Sequence, residues 1–271
     1  MNLSSRYEST EFRALLHGIV RAIDAVYGTE SYLLIGAFAR DAHVHLRAGR
    51  PLPRASSDVD IGIAAPDVEV FRRELARLDP SGTLRTRRRL ARPEVGDLPL
   101  DVLPFGTIAP EGIFEADTIE YDIRGLEDAF RHADIFDLGE GTRVRVPSLS
   151  SLIGLKLIAW AIRRKSTGAK DLATLLDVSV DDPYAEEIWD PASGAGDYDY
   201  ELALEGPYVL GRELAATFGD IARGRVLEVL DPGGDLVDPL HAVTPSRGVA
   251  SPSRDEQFAA LRRGILRASD C

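Results

Sequence analysis

The stretch SDVDIGIAA, residues 57–65, constrains the fold of this chain more than any other. Its two aspartates, one residue apart, sit inside a run that otherwise reads as an apolar strand, in which residues i and i+2 share a face. Val59 and Ile61 then face one layer, while Asp58 and Asp60 project together from the other face. Two carboxylates so close repel, and one tends to stay protonated. A divalent cation relieves the repulsion, because Mg²⁺ binds through one or two carboxylates and takes substrate phosphates as further ligands.

The rest of the chain is read around this strand. Residues 9–27 set Phe12, Leu15, Leu16, Ile19, Val20, Ile23 and Val26 at helical spacing, with Gly28 as a stop. Residues 31–36 read as a buried strand, 37–49 as a helix and 67–78 as an amphipathic helix. The segment LPLDVLPFG, 98–106, reads as a further strand carrying Asp101, and strand-like pieces follow at 118–123, 133–138 and 142–146. The character changes at Pro147. The segment PSLSSLIGLKLIAWAIRRK is a helix apolar nearly all round, the mark of a buried one, and its Trp160 reads as core. Helical patterns recur at 169–178, 198–218, 221–230 and 254–268, and 231–253 is rich in Pro, Gly and Ser. The expectation is an α+β fold, a mixed sheet with flanking helices over 1–147, followed by a mainly α-helical domain over 148–271.

Composition limits the function classes. The chain has 271 residues, 44% hydrophobic and 28% charged, which is ordinary for a globular protein. No apolar run is long enough to span a bilayer. No secretory signal is visible, and the single cysteine, Cys271, rules out an internal disulfide framework, so a cytoplasmic protein with no membrane partner is expected. A net charge of −12 argues against a general nucleic-acid coat. The dense basic run from Arg85 to Arg92 is the exception, and reads as a solvated strand or turn, with a nucleic-acid contact as the alternative. The 32 basic residues include three lysines, Lys156, Lys165 and Lys170, all within one short stretch. His43 and His45 are two apart on an expected helix, do not face each other, and read as surface residues.

The segment LLIGAFARD, 33–41, is a strand running into Gly36 and at once into a helix. Glycine lets backbone approach a phosphate closely, and a helix N-terminus favours an anion. Arg40 adds a charge in the first turn. Each motif alone is weak. A glycine turn, then Asp58-x-Asp60, then a strand with Asp101 is far more specific. If the strand of Asp101 neighbours that of Asp58 and Asp60, three carboxylates can hold two metal ions for phosphoryl transfer.

These motifs in this order resemble the DNA polymerase β-type nucleotidyltransferase fold. With LKLIAWAIRR, AKDLATLL and YDYELALEGPYVLGRE they resemble the AbiEii-type nucleotidyltransferase toxins, over roughly residues 30–215. The resemblance implies transfer of a nucleoside monophosphate from an NTP to an acceptor hydroxyl, with Mg²⁺ or Mn²⁺ as cofactor. It assigns Asp58, Asp60 and Asp101 to metal and catalysis, Gly36 and Ala37 to nucleotide phosphates, Lys156 and Arg163 to the triphosphate, and Asp171 to the neighbouring helix. Alanine at 37 departs from the serine common there, so phosphate binding falls to backbone N–H groups, with Ser57 or Ser56 as helpers. The implied acceptor is the tRNA 3′ end, in a toxin with a cognate antitoxin. Transfer to a small molecule or a protein, and a non-catalytic binding partner that keeps the fold, are the alternatives.

Overall fold

In the computed structural model the described residues are 9–52, 56, 58–78, 86–92, 96–116, 118–190, 193, 195–198, 201–236, 240 and 252–269. Ser57, Arg85, Cys271 and most of 231–253 lie outside them. The chain divides into two compact units, Met1–Ser148 and Leu149–Cys271. The architecture is α+β, with a mixed sheet and flanking helices in the first unit and helices in the second.

The first unit begins with α1 (Ser9–Tyr27), whose Phe12, Leu16, Ile19, Val20 and Ile23 are buried along one stripe. Next come β1 (Tyr32–Ile35), buried throughout, and the short α2 (Gly36–Asp41). After β2 (Val59–Ala64) comes α3 (Val68–Ala76), which starts where the Asp67 carboxylate accepts the N–H of Val70 at 2.8 Å, an N-terminal cap. The remaining elements are β3 (Arg87–Arg92), β4 (Gly96–Phe105), a hairpin of β5 (Ile113–Ala116) and β6 (Ile119–Asp122), α4 (Leu126–Arg131), β7 (Asp134–Gly139) and β8 (Thr142–Val146).

The main sheet runs β3-β4-β2-β1-β8-β7. β1 is antiparallel to β2 and parallel to β8, β2 is parallel to β4, and β3 is antiparallel to β4. The register is set by burial. Val59, Ile61, Leu100 and Val102 are fully buried on one face, so their alternates emerge together on the other.

Several elements add to or depart from expectation. Of the two readings of the basic run, strand or turn, it is the strand, β3, because its backbone pairs with β4. β5, α4 and the five-residue helix Tyr184–Ile188 were not expected, being too short to carry a readable period. The expected helix 37–49 is a short α-helix passing into a π-helical turn, Ala42–Arg47, which turns His43 inward. His43 is therefore core, not surface. It is 0% exposed, its Nε2–H donates to the Pro147 carbonyl at 2.7 Å, and its ring meets Phe136 edge-on. Burial pushes its pKa down to about 4, against the smaller upward pull of that hydrogen bond.

The second unit holds α5 (Leu149–Arg163), α6 (Ser166–Val178), α7 (Tyr184–Ile188), α8 (Leu202–Thr217), α9 (Asp220–Val229) and α10 (Arg254–Ser269). α8 and α10 cross at glycine: a Cβ on Gly264 would lie 2.0 Å from the Tyr208 carbonyl oxygen, and one on Gly211 2.1 Å from that of Leu261. Pro207 has no N–H to give the carbonyl of Ala203, and the side chain of Gln257 on α10 donates to that carbonyl at 3.1 Å instead. Trp160 is buried, as its place in an all-round apolar helix requires. No described helix is long and apolar enough to cross a membrane.

Candidate functional site

Asp60 and Asp101 are direct partners in the parallel β2–β4 ladder. Paired residues in a parallel ladder point to the same side, with Cα atoms about 4.8 Å apart. Asp58 lies two residues before Asp60, about 6.6 Å along the chain, and on the same side by alternation. All three are partly exposed. Arg87 of β3, registered opposite Asp101, shows that Asp58 and Asp101 share a face. Its Nη2 lies 3.7 Å from Asp58 Oδ2 and its Nε 4.0 Å from Asp101 Oδ1.

The glycine turn lies against this cluster. Ile35 is registered with Asp60, so Gly36 follows directly beside the Asp60 carboxylate. Gly36 has φ +68°, and a Cβ there would sit 2.0 Å from Asp60 Oδ2, 2.7 Å from its Cγ and 2.9 Å from its Cβ. Two separate constraints thus demand glycine, a left-handed backbone and a close approach. Ala37 is the second residue of α2 and is 9% exposed. The Ser56 hydroxyl donates to the Asp58 carbonyl oxygen at 3.0 Å and reaches its Oδ1 at 3.4 Å, so Ser56 holds Asp58.

The other expected site residues have the following surroundings. Arg40 is 0% exposed, and its Nε donates to Asp41 Oδ1 at 2.7 Å inside the first unit. Lys156 on α5 and Asp171 on α6 form an ion pair at 2.9 Å, both largely buried, within the second unit. Arg163 is exposed at the last position of α5. Ser57 lies outside the described residues.

Arg87 is the residue that sequence reasoning missed at this site. Its signal was present: a basic strand opposite LPLDV offers a cation to any acidic face there. Only the pairing of β3 with β4 tells which arginine meets which carboxylate.

The donor set suits Mg²⁺ or Mn²⁺, since it is made of hard carboxylate oxygens on one face, with room kept for Asp60 by the bare Gly36. In the present rotamers no three His, Cys, Asp or Glu side chains among the described residues converge on one point. Asp60 lies against Gly36, and the Arg87 guanidinium spans Asp58 and Asp101.

No family model matches the chain, and no curated protein matches it. Among solved structures it is similar to an antigenic nucleotidyltransferase-like protein from Paracoccidioides brasiliensis, at 15% identity and a TM-score of 0.39, over 64% of this chain and 79% of that one. A likeness this distant adds nothing to the geometry of the carboxylates and leaves the motif resemblance as it stood.

Proposed function

We propose that the chain is a nucleotidyltransferase that moves a nucleoside monophosphate from an NTP to an acceptor hydroxyl and releases pyrophosphate. The observation that carries this is the in-register pair Asp60 and Asp101, with Asp58 on the same face and Gly36 against Asp60. Asp58, Asp60 and Asp101 would hold Mg²⁺ or Mn²⁺. When bound, such ions lower the cost of charge on the attacking and leaving oxygens. Asp101 takes the proton of the acceptor hydroxyl. The hydroxyl oxygen bonds to the α-phosphorus, the bond from the α-phosphorus to the bridging oxygen breaks, and pyrophosphate leaves with that electron pair. Ser56 fixes the Asp58 carboxylate. The backbone N–H groups of Gly36 and Ala37 receive phosphate oxygens. We assign Arg40 to holding Asp41 rather than to the nucleotide. The triphosphate contacts that the resemblance gives to Lys156 and Arg163 form no part of this proposal, which rests on the first unit.

For the acceptor we propose the tRNA 3′ end, modified by a toxin that a cognate antitoxin restrains. Arg87 and Arg89, both exposed on the edge strand β3 beside the carboxylates, support a nucleic-acid contact in a chain that is otherwise acidic. The test is incubation with Mg²⁺, labelled NTPs and total RNA, beside an Asp58→Ala, Asp60→Ala variant. Label on the tRNA 3′ end with wild type only, falling steeply as salt rises, is the expected result. Label on a small molecule or a protein, indifferent to salt, overturns the acceptor. No transfer to any acceptor overturns the reaction.

A further inference from the structure

Arg87 places a permanent cation against the acidic cluster. A guanidinium keeps its proton at any physiological pH. It stands 3.7 Å from Asp58 Oδ2 and 4.0 Å from Asp101 Oδ1, both beyond hydrogen-bond range. Charge, rather than directional bonding, therefore holds it there. Its side chain is 65% exposed, so it can swing into solvent without disturbing the core. Arg87 thus bridges two of the three carboxylates as a monovalent, displaceable cation.

We propose that Arg87 is a resident counter-ion of the Asp58–Asp60–Asp101 cluster and competes with the divalent cation for Asp58 and Asp101. The inference rests on the nucleotidyltransferase reading, which assigns those carboxylates to a metal. Arg87 satisfies the repulsion among the acids in the metal-free state, so the strands keep their register without an ion. The same contact raises the concentration of free metal needed to fill the site. A divalent cation prevails by bringing twice the charge and direct coordination, and Arg87 then leaves along its exposed stem. Arg89 shares the exposed face of β3 but is registered with Pro99, one pleat further from Asp101, so its charge bears on the cluster more weakly.

The test is titration of the full chain with Mn²⁺ alone, followed by calorimetry and by the paramagnetic resonance of free Mn²⁺. Arg87→Gln is expected to tighten Mn²⁺ binding about tenfold, the size of effect expected from one unit charge near 4 Å at a partly exposed site. Arg87→Lys keeps the charge and is expected to stay within about twofold of wild type, and Arg89→Gln within about threefold. Asp58→Asn with Asp101→Asn is expected to abolish binding. If Arg87→Gln leaves the affinity unchanged or weakens it while the double Asn variant loses binding, the counter-ion role is overturned and the metal site survives. If no variant, wild type included, binds Mn²⁺, the metal site itself is overturned. Circular dichroism of each variant shows that a changed affinity comes from a folded chain.

Discussion

Substituting Gly36 separates the cost of a strained backbone from the cost of displacing a carboxylate. Gly36 and Gly49 have nearly the same left-handed conformation, φ +68° and +65°. A Cβ at Gly49 meets nothing within 4 Å, whereas one at Gly36 overlaps Asp60. Gly49→Ala therefore carries only the left-handed penalty of about 1–2 kcal/mol. That is partly offset by the reduced freedom of the unfolded chain, leaving a net loss of about 1 kcal/mol or less. Gly36→Ala carries the same penalty and a clash. Rotating Asp60 about χ1 moves its Oδ2 and Cγ away, but its Cβ, 2.9 Å from the new methyl, is fixed by strand β2. The strand or the turn must then shift, which adds about 1–3 kcal/mol. The expected destabilisation is about 2–4 kcal/mol for Gly36→Ala, read by urea unfolding. Mn²⁺ affinity, read by calorimetry, should fall at least about tenfold for Gly36→Ala because Asp60 is pushed from its place, and should not change for Gly49→Ala. Equal effects of the two substitutions on both measurements would refute the claim that Gly36 exists to seat Asp60.

Other outcomes are expected from the same structure. His43 is buried with its pKa depressed to about 4, while the unfolded chain takes up that proton below about 6.5, so stability is lost as pH falls through this window, by about 3 kcal/mol at most. His43→Gln, which keeps an N–H for the Pro147 carbonyl, should flatten the pH dependence of urea unfolding between those limits. Lys156→Met strips the ammonium from the buried Asp171 carboxylate and should cost about 3 kcal/mol, most of it recovered in Lys156→Met with Asp171→Leu, as read by thermal melts. Gly264→Ala drives a methyl to 2.0 Å from the Tyr208 carbonyl oxygen and should cost about 3 kcal/mol. Gly224→Ala, a helical glycine with open space around it, should instead stabilise by up to about 1 kcal/mol in the same assay.

Much of this was legible in residue order because the signals are local. An apolar strand around Asp58-x-Asp60 sets the two aspartates on one side, and a strip of apolar residues every third or fourth position over 9–27 requires a helix with one buried face. A glycine between a strand and a helix marks a turn. What residue order left undecided is contact between distant segments. Neither LPLDVLPFG nor RRRLAR states its neighbour. The parallel pairing of β2 with β4 sets Asp101 beside Asp60, and the antiparallel pairing of β3 with β4 sets Arg87 opposite Asp101. Arg40 and His43 show the same limit, since both look polar and available in sequence and both are fully buried once α2 bends into its π-turn. Periodicity depends on the few bonds between near neighbours and can be read from the chain alone. Pairing depends on which faces bury each other across tens of residues, and only the folded chain decides it.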